Sequence, residues 1–322
     1  MSAAGAGEGE RLGHLPVMVE RVVDLLAPVA ADWVVDATLG LGGHAMALLE
    51  AAPEARVLGI DRDPQALEAA RVRLARFGER FVAIKASFDA MERVTAQIGI
   101  DRLGGALYDL GVSSLQVDSV ERGFSYRSAA PLDMRMDPEL AVTAADLVNA
   151  LPRRELTRIL REYGEERFAS RIASFIEQTR KRHRIETSDE LVDLVKAAVP
   201  AAARRTGGHP ARRTFQALRI AVNGELEQLS DSLPQAIRLL RPGGRLVALS
   251  YHSLEDRIVK RALVEAATGC ICPPEVPVCR CGHQPSLRLI TRRPERPSAG
   301  EIEVNPRAES ARLRAAEKLE AA

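Results

Sequence analysis

Three aspartates stand at the carboxyl ends of short apolar runs: Asp36 after Trp33-Val34-Val35, Asp61 after Val57-Leu58-Gly59-Ile60, and Asp109 after Gly105-Ala106-Leu107-Tyr108. Carboxylates so placed can accept from hydroxyl or amino groups, or sit beside a cationic ligand. Between the first two lies Gly40-Leu41-Gly42-Gly43-His44-Ala45. Glycines there permit a tight turn and let a ligand approach the backbone. Asp61 follows by about 20 residues, the spacing at which dinucleotide-type folds set an acid on ribose hydroxyls. An adenosine-type cofactor is therefore expected, and the turn alone leaves NAD and S-adenosylmethionine both open. Asp36 tilts the reading toward the second. A carboxylate beside the turn opposes a pyrophosphate, which needs donors and positive charge. S-adenosylmethionine carries no phosphate and presents an ammonium and a sulfonium.

Further candidates flank these acids. Phe88 follows the run Phe81-Val82-Ala83-Ile84-Lys85-Ala86 and is suited equally to flanking an adenine ring or to packing in the core. His252, after Arg245-Leu246-Val247-Ala248-Leu249-Ser250-Tyr251, could move a proton or could bond a loop carbonyl. His14 reads as an ordinary cap or solvated residue. Cys270, Cys272, Cys279 and Cys281 form a C-x-C…C-x-C cluster followed by His283. A structural metal, a proline-stiffened loop of reduced thiols and a disulfide pair all remain open there, so no metal ligand is assigned.

Positioning these groups requires an α/β fold. An apolar run, a glycine turn and the helix over Ala45–Glu50 open a Rossmann-like βαβ unit. A helix is expected over Leu15–Ala27, and another after the Asp63 cap and Pro64. Strand ends are where open α/β sheets bind ligands, so three acids on three strands define a site. The alternation then stops for more than a hundred residues before the turn Pro242-Gly243-Gly244 and the strand Arg245–Ser250. A helical subdomain is expected at 118–222, inserted into a discontinuous core of 1–117 and 223–322. Ser286–Thr291 and Ser310–Arg314 read as a reversed last pair of strands closing the sheet.

The insert gathers positive charge in Arg180-Lys181-Arg182-His183-Arg184, Arg204-Arg205 and Arg212-Arg213. Over all 322 residues the formal charge is only +1, so nucleic acid would have to meet this local patch and not the bulk charge. Small and acidic residues at Met1–Glu10 suggest a disordered tail without the features of a signal peptide. No apolar stretch approaches the ~20 residues of a membrane span. A soluble, cytoplasmic protein without a membrane partner is expected.

Longer words carry a resemblance. His14-Leu15-Pro16-Val17, Gly42-Gly43-His44, Asp61-Arg62-Asp63-Pro64-Gln65-Ala66, Asp109-Leu110-Gly111-Val112-Ser113-Ser114, Glu121-Arg122-Gly123-Phe124-Ser125 and Leu132-Asp133-Met134-Arg135-Met136-Asp137-Pro138 occur in this order. Tyr163-Gly164-Glu165-Glu166-Arg167-Phe168-Ala169, His209 through Ile220 and Ser253-Leu254-Glu255-Asp256-Arg257 follow. With them the chain resembles the bacterial 16S rRNA (cytosine-N4) methyltransferases nearly end to end. The resemblance implies a class I S-adenosylmethionine methyltransferase core with an inserted helical domain. It also implies transfer to N4 of a decoding-centre cytidine, with 16S rRNA or the small ribosomal subunit as partner. Oligomeric state, a homodimer included, stays open.

Carried over residue by residue, the resemblance puts cofactor contacts at Gly42, Gly43, His44, Asp61, Phe88, Asp109 and Gln116; Gln116 rests on the resemblance alone. Leu39, Leu41, Leu115 and Tyr251 stand where other residues are usual, Phe in the case of Tyr251. Asp109-Leu110-Gly111-Val112 lacks the Pro-Pro-aromatic tail of many amino-methyltransferases, so base stacking must come from elsewhere. On chemical grounds Asp109 is expected to align cofactor and amino group, assisted by His252, with the proton acceptor left open. An NAD-dependent oxidoreductase and a non-catalytic RNA-binding assembly protein are the competing readings.

Overall fold

The computed structural model describes residues 15–204, 208–270, 272, 278 and 280–320. The expectations for Met1–Glu10, His14, Arg205 and Cys279 lie outside them. Seven strands form one sheet: β1 (Trp33–Asp36), β2 (Arg56–Asp61), β3 (Phe81–Lys85), β4 (Leu103–Asp109), β5 (Leu240–Ser250), β6 (Leu287–Leu289) and β7 (Arg312–Lys318). Their order is β3-β2-β1-β4-β5-β7-β6. The first five run parallel, β7 pairs antiparallel with β5, and β6 antiparallel with β7.

The near-continuous apolar strands follow from burial on both faces. Successive side chains alternate between the two layers. Val34, Val57, Leu107 and Val247 pack on one face with the helices Val19–Leu26 and Gly43–Ala51. Val35, Leu58, Tyr108 and Leu246 pack on the other against Leu229 and Leu233 of the helix Glu225–Leu239. Tyr108 is fully buried, and its hydroxyl meets Ser232 Oγ at 2.6 Å. That contact satisfies a polar group that burial would otherwise leave costly.

Several expected boundaries move. The helix expected over Leu15–Ala27 runs only over Val19–Leu26, because Met18 before it is left-handed (φ 50°), and the strand expected over Ser286–Thr291 shortens to Leu287–Leu289. Pro242-Gly243-Gly244 does not precede β5 but lies within it, as a protrusion: Leu103 pairs with Leu240, and Gly105 next with Arg245. Looping out the intervening residues spares proline a ladder position it cannot fill. The reversed strand begins at Arg312 and not at Ser310, because Pro306–Ser310 winds into a 3₁₀ turn.

Between β4 and β5, the helices Ala144–Ala150, Arg153–Glu162, Ala169–Arg180, Ser188–Ala198 and Arg212–Asn223 share a third core of Leu156, Ile172, Ile176, Leu191, Val195, Phe215 and Leu218. The last helix runs through residue 222 and ends at Gly224, whose φ of 62° suits a left-handed cap. Gly123 (φ +70°) makes the sharpest turn on the way into these helices. A Cβ there would stand 2.2 Å from the Pro131 carbonyl oxygen and 2.9 Å from the Asp133 amide nitrogen, both backbone. Gly123→Ala is therefore expected to cost at least about 2 kcal/mol, from the left-handed penalty and a forced backbone shift. The urea midpoint should fall with an unchanged slope; an unmoved midpoint would refute this.

Candidate active site

The carboxyl edge of the sheet opens into a cleft of about 830 Å³ lined by Gly40, Gly43, His44, Asp61, Phe88, Asp109, Gln116, Tyr126, Tyr251 and His252, among others. Asp36 and Gly42 are the exceptions among the strand-end and turn candidates: Asp36 is buried behind the cleft wall, and Gly42, with φ 72°, forms the turn behind and caps the helix Gly43–Ala51. A Cβ on Gly42 would meet Leu74 Cδ1 at 2.8 Å, so the turn needs glycine for both its conformation and its packing.

Asp61 is wired to that turn. Its Oδ2 accepts from the Gly40 amide at 2.8 Å and its Oδ1 from the Asp63 amide at 2.9 Å. In a dinucleotide site the turn amides face the pyrophosphate. Here the Gly40 amide already has a carboxylate, so the turn suits a ligand without phosphate. Burial raises the Asp61 pKa, opposed by these two amides.

Asp36 is 2 % exposed and accepts from the Thr38 amide at 3.2 Å. Burial pushes its carboxyl up to about 7, against the pull of His44. Because the folded value lies above the ordinary one of 3.8, its contribution to stability is complete below about pH 4 and is lost as pH rises toward 7. In cofactor-free protein, Asp36→Asn should gain on the wild type across that window, by at most about 4 kcal/mol. Denaturant titrations at several pH values check this; a stability gap independent of pH would contradict it.

Asp109 joins three strands' worth of chemistry. Its amide donates to Thr38 Oγ1 at 2.7 Å, fixing the end of β4 against the turn after β1. Its Oδ1 accepts from the Tyr251 hydroxyl at 2.6 Å, and its Oδ2 faces His44 Nε2 at 3.3 Å. Burial works to lower the His44 pKa, yet Asp109 and Asp36 hold it above its ordinary value. Neither ring nitrogen of His44 makes a well-directed hydrogen bond, although the residue is only 6 % exposed. Burial, followed by the Asp109 charge, raises the Tyr251 pKa well above its ordinary value, so the phenol stays a donor. Sequence reasoning missed this contact: Tyr251 was legible as a polar residue after a strand, but its partner lies 142 positions away.

His252 caps the helix Ser253–Ala267. Its Nδ1 accepts from the Glu255 amide at 3.4 Å, and its Nε2 stands 3.1 Å from Glu255 Oε1. The ring thus lines the cleft while its contacts go to Glu255, and Tyr251 is the neighbour that bonds Asp109. Glu255 is buried, which works to raise its pKa, but His252 and Arg219 hold it below the ordinary value. Arg219 in turn pairs with both oxygens of Glu225 at 2.8 Å.

Gln116 closes the cleft through Asp63. It forms a capping box with Ser113 and donates from Nε2 to Asp63 Oδ2 at 3.2 Å. The fully buried Asp63 also caps the helix Pro64–Leu74 and receives Arg122 Nη1. Arg122 Nη2 donates to the carbonyls of Arg135 at 3.0 Å and Met136 at 2.7 Å. Phe88 meets Tyr108 edge-on, with ring centroids 6.1 Å apart, and the Arg62 guanidinium lies 5.8 Å from its ring centre.

Some of the insert's positive charge is spent on the fold. Arg180 donates to the carbonyls of Val148 and Leu151, Arg184 pairs with Asp146, and Arg213 reaches the Glu165 carbonyl. Arg212 lines the main cleft and a second groove of about 580 Å³, which Arg167, Arg213, Arg296 and Arg312 also line. The two share Tyr251, His252, Glu309 and Ser310, so the groove leads away from the cleft.

A parallel sheet closed by a reversed β7, a glycine turn after β1 and strand-end carboxylates define a Rossmann-like class I methyltransferase fold. Residues 11–319 match the model of the MraW methylase family, and the chain belongs to that family. A protein of Thermobifida fusca described as ribosomal RNA small subunit methyltransferase H is 56% identical, over 95% of this chain and 93% of its own length. Proteins of the same description from Geobacter sulfurreducens and Heliobacterium modesticaldum are 55% and 52% identical, over 95% of this chain and 99% and 98% of their own lengths.

Proposed function

We propose that the chain transfers a methyl group from S-adenosylmethionine to the exocyclic N4 of a decoding-centre cytidine in 16S rRNA. The observation that carries this reading is Asp109, a strand-end carboxylate held by Tyr251 and facing the cleft beside His44. The names of the relatives support small-subunit RNA as the substrate class. The cytoplasm is the compartment where such RNA is met.

The donor set fits the cofactor: a turn amide already answered by Asp61, the half-buried carboxylates of Asp61 and Asp109 for hydroxyl and cationic groups, and a cleft within the usual ligand range. Gly42 and Gly43 would shape the backbone under it, His44, Asp61 and Gln116 its polar contacts, and Phe88 one face of its adenine. When bound, the cofactor supplies an electrophilic methyl group on sulfur. The chain's own task is then mainly positioning, because the cytosine amino nitrogen shares its lone pair with the ring.

Asp109 accepts an amino N–H, which localises that lone pair and gives the departing proton a carboxylate. Tyr251 fixes the carboxylate's rotation, and His252 assists by holding the start of the helix Ser253–Ala267. Tyr126, stacked on His209 with centroids 4.6 Å apart, supplies the aromatic ring that the segment after Asp109 lacks. Residues 118–222 act as the RNA-recognition insert. The arginine-lined groove follows phosphates while the base, unpaired or flipped, enters the cleft.

Calorimetry with S-adenosylhomocysteine and with NADH, followed by incubation of labelled S-adenosylmethionine with free 16S RNA and with small subunits, tests the reading. Binding of the first ligand alone and label in RNA are expected. Binding without label in either substrate would favour an assembly factor and overturn the catalytic reading; NADH binding would overturn the cofactor.

A further inference from the structure

We propose that Cys270, Cys272 and Cys281 bind a single zinc ion that pins the connection between the helix Ser253–Ala267 and β6. The three sulfurs all lie within 4.8 Å of one another. Those of Cys270 and Cys281 are 3.9 Å apart. A tetrahedral site with zinc–sulfur bonds of about 2.3 Å has ligand edges of about 3.8 Å, whereas a disulfide holds its sulfurs at about 2.0 Å. The Cys270–Cys281 separation matches such an edge, and the Cys272 sulfur lies within reach of the same ion.

The backbone prepares each sulfur separately. The amide of Cys272 donates to Cys270 Sγ, that of Arg280 to Cys272 Sγ, and that of His283 to Cys281 Sγ, each at 3.4 Å. Amide donors favour the thiolate, the form that binds metal, so binding releases the thiol protons. Orientation of ligands through such outer contacts is a general feature of metal sites. Soft sulfur donors favour zinc, and the three described sulfurs would supply three of the four ligands of one tetrahedral ion.

The loop is also tied at its base. His283 Nδ1 lies 2.8 Å from the Gly269 carbonyl oxygen, and the Ser286 amide donates to the Ala266 carbonyl at 2.8 Å. The ion would therefore stiffen a segment whose preceding helix is capped by His252, in the cleft wall. A structural role follows, because none of the three described cysteines lines the cleft.

The test is elemental analysis of the full-length, untagged protein purified under reducing conditions. About one zinc per chain is expected, with release on thiol modification and at least tenfold less in Cys270→Ser/Cys281→Ser. If that variant does not fold, cobalt exchange into the wild type decides: thiolate-to-cobalt charge-transfer bands support the site. Three results would overturn it: wild-type protein without metal that gains none from added zinc, a mass lower by the two hydrogens of a disulfide, or iron with acid-labile sulfide.

Discussion

Asp109→Asn is expected to lower the turnover of methyl transfer by about 10²–10³-fold at saturating cofactor. Asparagine keeps the shape of the side chain. Its carbonyl oxygen can still accept from Tyr251, and its amide can face a neutral His44 Nε2, so the contacts at 2.6 Å and 3.3 Å survive in altered form. What disappears is the negative charge and the ability to take a proton from the reacting amino group. The loss should therefore fall on kcat, with the melting temperature little changed. Single-turnover assays with labelled cofactor measure it, and near-normal turnover would remove Asp109 from the chemistry. Tyr251→Phe keeps the charge but frees the carboxylate to rotate, so a smaller decrease is expected.

Asp63→Ala should have the largest effect on stability, about 3–5 kcal/mol. Asp63 is wholly buried and answers three groups at once: the Gln65 amide at 3.0 Å, Gln116 Nε2 at 3.2 Å and Arg122 Nη1. Truncation removes a helix cap worth about 1 kcal/mol and leaves the Arg122 guanidinium, whose side chain is 14 % exposed, without its carboxylate. That second loss dominates, because uncompensated buried charge is far costlier than a missing neutral contact. Asp63→Asn keeps the cap and should lose clearly less. Equilibrium denaturation of both variants checks the order. A loss below about 1 kcal/mol for Asp63→Ala would mean that Arg122 finds other partners and that this junction does not hold the segment.

Both predictions depend on contacts of different legibility. Asp36, Asp61 and Asp109 could be read because strand period and a glycine turn place them, and both are local features of sequence. Asp63 was legible as a cap, yet its pairing with Arg122 spans 59 positions and has no local sign. Gln116 had a partial signal, since Ser113 followed three residues later by Gln is a capping-box pattern. Its second bond, to Asp63, belongs to tertiary packing.

Charge was the least readable property. Arg180 looks like phosphate-binding material in the sequence but closes the C-terminal end of the helix Ala144–Ala150 through the carbonyls of Val148 and Leu151. Arg212, in a similar dipeptide, lines both the cleft and the groove. Only the helix orientations separate the two, and these are set by the apolar core of the insert. The protrusion at Pro242-Gly243-Gly244 was likewise hidden, because a turn between strands and a bulge within one use the same residues.

Whether this cleft methylates N4 of a cytidine is decided by nucleoside mapping of the transferred label. Small subunits lacking the modification would be incubated with methyl-labelled cofactor, and their RNA digested and separated. Label is expected in N4-methylcytidine at a single decoding-centre position, reduced by at least about 100-fold with Asp109→Asn. Label in any other nucleoside, with Asp109→Asn as active as the wild type, would contradict it.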